Sequence, residues 1–376
     1  MNSVRIRGYG IVSTYGAGVA PLVAGLRRGT AEPGVLSDPA VAALAGVKVS
    51  ALPPQMFRFD VDGSLAMVLA AAGEALAQAG VQQPLGDCAV LCGANTLALA
   101  EHSDSDHRRV HGSGRAPLIP HPGELAERVA YAFGATGPVL TFSTACSSSA
   151  NALLHARALI LRGQVTRALV FGIESLAMIT LSGFNSLMLL DAEGCRPFDA
   201  GREGFQPGEG AAALLLEAQG SGARVLGGAN LCDIHHVTSA NPDGSGMARS
   251  MRAALADAGV AAGEIVAIKA HATASRENDA AEATAMRTVF GDKLPPFTAL
   301  KRYLGHTSCA CGAVETVAML AALDAGFVPP AAGFVHADPA LGCGPLTQAQ
   351  PAAAGAYLLN YFGFGGNYAS VVVAHG

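Results

Sequence analysis

The chain has 376 residues, is 51% hydrophobic and 14% charged, and carries a formal net charge of −5. So mild a charge gives no bulk electrostatic case for nucleic acid, and the apolar share is that of a chain with a large core rather than a disordered one. At ~100–200 residues per domain the length fits two domains, or one large fold made of two halves.

Val4–Ile11 reads as a strand, followed by a turn rich in Gly and Ser, and Pro21–Arg28 reads as a short helix. Residues 30–56 are rich in Pro and Ala with weak periodicity and read as irregular. Ser64–Ala79 is nearly all good helix formers and ends at Gly80. Asp87–Gly93 reads as a strand, the polar stretch His102–Gly114 as a solvated loop, and Gly123–Phe133 as a helix. Past residue 160, strands are expected at Arg167–Gly172, Gly210–Glu217, Ala223–Ile234 and Ile265–Ala270. Two more close the chain at Ala356–Phe362 and Ser370–Ala374. Helices are expected at Gly246–Ala258, Glu277–Val289 and Gly312–Asp324.

Strands alternating with helices of ~10–15 residues predict mostly parallel sheets covered by helices. The order strand, helix, strand, helix runs once before about residue 220 and again after it. The expectation is two similar halves, 1–220 and 221–376.

Between the first helices and Arg167 lies the most informative stretch, Ser143-Thr144-Ala145-Cys146-Ser147-Ser148-Ser149. The apolar run Val139–Phe142 leads in as a short strand, and Ala150–Leu161 leads out as a helix. Cys146 therefore sits at a strand-to-helix elbow. Unpaired backbone N–H groups in the first turn of a helix ease ionisation of a thiol, and the thiolate is the reactive form. The following helix has almost no polar face and is expected to be buried, with His155 as a core histidine.

Eight cysteines are scattered without framework spacing, and no signal-peptide core opens the chain. The two long uncharged segments, Val129–Leu154 and Leu341–Ala374, are interrupted by Gly, Pro, Ser, Asn or Gln, so no membrane span is expected. The setting these features predict is a reducing cytoplasm.

Three downstream stretches place polar or Gly-rich residues at strand ends, where α/β sheets build their sites. They are His271-Ala272-Thr273-Ala274-Ser275, Lys301 through Gly305-His306 with Glu315 beyond, and Tyr361-Phe362-Gly363-Phe364-Gly365-Gly366-Asn367. Two other groups could suggest a metal, His235-His236 and Cys309-Ala310-Cys311. The cysteines are read as packing residues, and no metal site is expected. Arg27, Arg28, Arg58, Arg108, Arg109, Arg202 and Arg302 could meet an acidic partner but are read as solvated surface.

These motifs, together with Gly8-Tyr9-Gly10-Ile11-Val12-Ser13, Cys195-Arg196-Pro197-Phe198-Asp199 and Gly204-Phe205-Gln206-Pro207-Gly208-Glu209-Gly210, occur in a recognisable order. The chain resembles the β-ketoacyl-acyl carrier protein synthases of the thiolase-fold superfamily, specifically the decarboxylating elongation branch. The resemblance runs nearly end to end. It implies an α/β thiolase-like fold of two similar halves, layered α-β-α-β-α, with mixed, mainly parallel five-stranded sheets. The nucleophile would lie in the first half and both histidines in the second.

The resemblance implies that Cys146 accepts the acyl group and that His271 and His306 complete a Cys-His-His triad. Lys301 and Glu282 would form a charged support beneath His306. Phe364 would be a gating aromatic whose backbone N–H joins that of Cys146 as an oxyanion hole. Thr273, Ser275, Thr238, Ser239, Asp233, Thr96 and Gly365 would line the pantetheine and acyl channel. No cofactor is implied beyond the phosphopantetheine that carries the substrates. The implied partners are an acyl carrier protein and a second ketosynthase-like subunit, identical or not, paired through the strand after the nucleophile helix, Arg167–Gly172.

Several positions depart from the family pattern. His-Gly-Thr is His271-Ala272-Thr273 here, and the usual Gly-rich run is Gly93-Ala94-Asn95-Thr96-Leu97. The loop around 101–115 is short. These departures point to a specialised synthase of a polyketide or aryl-polyene pathway as the alternative to a fatty-acid enzyme. A third reading is a non-catalytic chain-length-factor subunit, against which the intact Cys146, His271, His306 and Lys301 argue.

Overall fold

The computed structural model describes residues 3–31, 34–35, 46–53, 61–94 and 123–376. Of the positions singled out above, Asn95, Thr96, Leu97, Arg58, Arg108, Arg109 and the loop around 101–115 lie outside the described residues.

Among the described residues, ten strands run in series through the sheet framework. In the first half they are β1 (Val4–Ser13), β2 (Cys88–Gly93), β3 (Val139–Phe142), β4 (Arg167–Glu174) and β5 (Gly210–Glu217). In the second they are β6 (Arg224–Cys232), β7 (Ile265–Lys269), β8 (Phe297–Thr298), β9 (Gly355–Phe362) and β10 (Asn367–His375). The first half is ordered β3-β2-β4-β5-β1 and the second β8-β7-β9-β10-β6, which is the same sequence of connections used twice. In each sheet the first three strands pair in parallel and the fourth runs antiparallel to both neighbours. Four of five strands thus point one way. Val4 and Arg5 of β1 pair with Val225 and Arg224 of β6, joining the two sheets into one ladder.

Among the described residues, eight helices of nine or more residues accompany these sheets: α1 (Val19–Arg27), α2 (Val61–Ala79), α3 (Glu124–Phe133), α4 (Ser148–Leu161), α5 (Met178–Ser186), α6 (Ser245–Ala258), α7 (Arg276–Phe290) and α8 (Cys311–Asp324). α3 and α6 each stop where the next residue, Gly134 or Gly259, takes a left-handed conformation that glycine adopts without a Cβ penalty. α2 and α3 pack on the outer face of the first sheet, and α6 on that of the second beside α7. α4 and α8 pack against each other between the sheets. The buried apolar residues divide accordingly. One cluster surrounds α4 and α8, one lies under α2 and α3, and one lies under α6 and α7. The result is five layers, α-β-α-β-α. β5, an unbroken run of Ala and Leu buried on both faces, shows why its sequence does not alternate. Among the described residues no helix is long and apolar enough to cross a membrane.

Two expectations are corrected. α4 is buried along most of its length, but His155 is exposed and packs on Phe142 at 5.4 Å between ring centroids. Arg167–Glu174 is hydrogen-bonded on both sides, to β2 and β5, and so cannot pair across a two-fold axis. The edge of that sheet is β3, whose Leu140 is exposed. The helix α5 has no counterpart among the elements expected from periodicity.

Candidate active site

Cys146 lies in the elbow between β3 and α4, one residue after Ala145, which holds φ at +51°. A non-glycine residue there is strained, and such strain persists only where the surroundings hold it. The serines behind the cysteine supply that hold. Ser147 Oγ donates to the Thr144 carbonyl at 2.8 Å and Ser148 Oγ to the Ala145 carbonyl at 2.6 Å. Ser149 Oγ donates to the Cys309 carbonyl at 2.7 Å and accepts from the Ala313 N–H at 3.0 Å, tying α4 to α8. Three small hydroxyls in sequence therefore brace the nucleophile turn, a role their composition alone did not reveal.

The two histidines come from the other half. His271 follows β7 in a tight loop with Ala272 and Ala274 at positive φ. Glu282 of α7 accepts the backbone N–H groups of His271 at 2.7 Å and Ala272 at 2.8 Å, which pins that loop. His306 follows the helical turn Lys301–Leu304 and Gly305, and its N–H donates to the Gln206 carbonyl at 2.6 Å. The Gly204–Gly210 motif therefore forms the wall on which His306 is mounted, and Phe205 stacks edge-on against its ring at 5.1 Å. His306 Nε2 is 3.2 Å from Cys146 Sγ, and the His271 and His306 ring centroids are 5.5 Å apart. One side-chain donor atom from each of the three residues lies within 4.8 Å of the others. His271 Nε2 is buried and, among the described residues, has no hydrogen-bond partner.

The charged support differs from expectation in its carboxylate and in the histidine it serves. Lys301 Nζ donates to Glu315 Oε1 at 2.5 Å, not to Glu282, and lies 3.5 Å from Nδ1 of His271, not beneath His306. Glu282 is occupied by backbone N–H groups, and burial pushes its carboxyl up to about 7 against their pull. A second buried lysine, Lys269, donates to Glu315 Oε2 at 2.6 Å and sits 3.7 Å from the centre of the Tyr361 ring. Burial would raise the Glu315 carboxyl, but the Lys269 and Lys301 ammoniums outweigh it and hold it below the usual carboxylate range. Both histidines are held well below their ordinary value by burial first and then by the nearby Lys301 ammonium. They are neutral imidazoles at physiological pH.

Burial also dominates at Cys146, and its thiol is pushed up to about 11. The Lys301 ammonium and the Phe364 backbone N–H pull the other way without overcoming it. Desolvation of the buried sulfur thus opposes the ease of ionisation expected at a helix N-terminus.

A cavity of about 540 Å³ opens beside these three residues. Thr273, Ser275, Thr238, Ser239, Phe364 and Gly365 all line it. Ser275 also caps α7, accepting the Asn278 N–H. Asp233 does not line the cavity. It is buried behind the closing loop, where its backbone N–H donates to the Gly366 carbonyl at 2.9 Å. Gly363 lets the loop bearing Phe364 close on the elbow, since a Cβ there would fall 2.9 Å from the Cys146 nitrogen. Sequence reasoning missed Leu187, Met188 and Leu189, which follow α5 and form an apolar wall. Of the arginines, Arg202 is buried against Asp338, and Arg27 and Arg302 donate to backbone carbonyls.

Comparison with known proteins agrees along most of the chain. Residues 47–220 match the model of the β-ketoacyl synthase N-terminal domain, and residues 223–335 that of its C-terminal domain. 3-oxoacyl-[acyl-carrier-protein] synthase 2 of Mycobacterium tuberculosis H37Rv is 32% identical over 272 residues, 68% of this chain and 65% of that protein. Nodulation protein E of Rhizobium meliloti strain 1021 is 32% identical over 365 residues, 89% of this chain and 90% of that protein. Among solved structures, the ishigamide ketosynthase/chain length factor superposes with a TM-score of 0.87 at 28% identity over 100% of both chains.

Proposed function

The chain belongs to the β-ketoacyl synthase family, and on that premise we propose that it is a decarboxylating 3-oxoacyl-acyl carrier protein synthase with Cys146 as nucleophile. The observation that carries the reading is the convergence of Cys146 Sγ, His306 Nε2 and His271 Nε2, the last without a partner among the described residues, on one cavity.

Acyl transfer comes first. Cys146 sulfur attacks the acyl thioester, the bond to the pantetheine sulfur breaks, and the proton lost by Cys146 is the one gained by the departing thiol. His306 and the Phe364 N–H stand beside the developing thiolate. A malonyl thioester then loses CO2, and the electrons of the broken C–C bond form an enolate. Two neutral imidazoles donating through Nε2 stabilise that oxygen. Lys301, an ammonium with donors only, faces Nδ1 of His271 and so leaves the proton of that ring on Nε2. The enolate carbon attacks the acyl-Cys146 carbonyl. The oxyanion meets the backbone N–H groups of Cys146 and Phe364, and collapse releases the 3-oxoacyl thioester and the thiolate. Thr273, Ser275, Thr238 and Ser239 would hold the pantetheine arm, and no metal or further cofactor is required.

The implied partners are an acyl carrier protein and a second ketosynthase-like subunit. The exposed Leu140 edge of β3 and the exposed His155 next to it suit an interface between subunits. The ishigamide relative is a ketosynthase/chain length factor, which favours a heterodimer in a polyketide or polyene pathway as the second reading.

Intact mass spectrometry after mixing with a panel of acyl-carrier thioesters tests this. An acyl adduct that is lost in Cys146→Ala is expected, and the preferred chain length separates the fatty-acid from the polyketide reading. No adduct with any donor, alone or with a partner subunit, would favour the non-catalytic subunit instead.

A further inference from the structure

Cys311 is a buried thiol that the chemistry above does not use. It is the first residue of α8, and its Sγ lies 3.1 Å from Nδ1 of His306, on the side of the ring opposite Cys146. Thr307, also fully buried, donates its hydroxyl toward Cys311 Sγ at 3.7 Å. The imidazole is therefore held between two sulfurs. A neutral imidazole has one N–H and one acceptor nitrogen, and the partner of one nitrogen decides which is which.

We propose that Cys311 is a positioning residue whose S–H donates to Nδ1 of His306 and so keeps that ring in the tautomer with its proton on Nε2. With the Thr307 hydroxyl directed at the sulfur, the thiol hydrogen is left for the ring. Donation then runs in one direction, from Thr307 through Cys311 and His306 toward Cys146. Burial pushes the Cys311 thiol up, which keeps it a donor across the working pH range. The two histidines reach the same state by different anchors, His271 through the Lys301 ammonium and His306 through a thiol.

The proposal deepens the ketosynthase reading, so its test has one readout that does not depend on activity. Protein labelled with 15N in its histidine rings is examined by NMR, with the His306 signals assigned by their loss in His306→Asn. In the unaltered protein His306 is expected in the Nε2–H form. In Cys311→Ala the Nδ1–H form is expected to appear. Decarboxylation of a malonyl thioester is expected to fall about tenfold, well short of the ~10⁴-fold that a wrong tautomer costs where the anchor is a carboxylate. Acyl transfer to Cys146 should change less. Cys311→Ser, whose hydroxyl also donates, should restore both the tautomer and the rate. An Nδ1–H form in the unaltered protein would overturn the proposal even if neither variant folds. So would a Cys311→Ala protein that keeps both the original tautomer and the original rate. If no form of the protein decarboxylates, the ketosynthase reading fails while the NMR result still decides the tautomer.

Discussion

Lys301 Nζ and Glu315 Oε1 lie 2.5 Å apart, both fully enclosed, and Glu315 reaches a second ammonium, Lys269, through its other oxygen. Removing the carboxylate charge would leave two buried cations without an anion. Breaking a buried pair in this way costs about 3–5 kcal/mol. Glu315→Gln should therefore lower the urea midpoint sharply. Lys301→Met should cost much less, because the Lys269–Glu315 pair remains.

The Cys146 thiol, raised to about 11 by burial, predicts slow alkylation at neutral pH. Its iodoacetamide modification rate should climb about tenfold per pH unit from 7 to 9 without levelling off, since only the thiolate reacts. Lys301→Met removes a cation that favours the thiolate and should slow modification at pH 8. A plateau below pH 8, followed by mass spectrometry of the Cys146 peptide, would show a thiolate stabilised at rest.

His271 and His306 have folded-state values well below their unfolded 6.5. As pH falls below 6.5 the unfolded chain takes up protons that the folded one refuses, so stability contributed above 6.5 is lost. The slope is at most about 1.4 kcal/mol per pH unit for each group. The Glu282 carboxyl, pushed up to about 7, acts in the opposite direction over the same window. The difference in urea midpoint between the unaltered protein and the His271→Asn, His306→Asn double variant should therefore shift against the unaltered protein as pH drops from 7.5 to 5.5.

Gly305 precedes His306 with φ at +71°, and a Cβ there would fall 2.5 Å from the Gly208 Cα. Gly305→Ala combines backbone strain with a backbone clash, and each such strain costs of order 1–3 kcal/mol. It should lower the thermal midpoint and displace His306, so that decarboxylation falls further than acyl transfer to Cys146. Equal loss in both partial reactions would point to a general loosening instead.

The element pattern was largely legible in the chain because its strands are short apolar runs and its helices are strong formers. β5 and α8 are mainly apolar, with Glu217 at the end of one and Glu315 within the other, and could be bounded by their flanks alone. α5 was not, since Met178–Ser186 mixes apolar residues with Thr, Ser, Gly and Asn and shows no periodic stripe. β8, two residues long, carries too little sequence to signal itself. Cys146, His271 and His306 were legible as polar or reactive residues at strand and helix ends. Their supports were harder to read. Glu282 and Glu315 are both buried glutamates on helices, and only the packing decides which one meets Lys301.

The sequence by itself determined the two-half architecture, the elbow that carries the cysteine and the residue types that meet it, because periodicity and turn chemistry act over neighbouring residues. Tertiary structure alone decided the pairing of Lys301 with Glu315, the place of Cys311 behind His306 and the raised Cys146 thiol. Each depends on which atoms face each other across α4, α8 and the second sheet, and on how completely they exclude water. Cys146 meets His306 across 160 positions of chain, and the nearer pairs, Lys301 with Glu315 and His306 with Cys311, join different elements that no periodicity links.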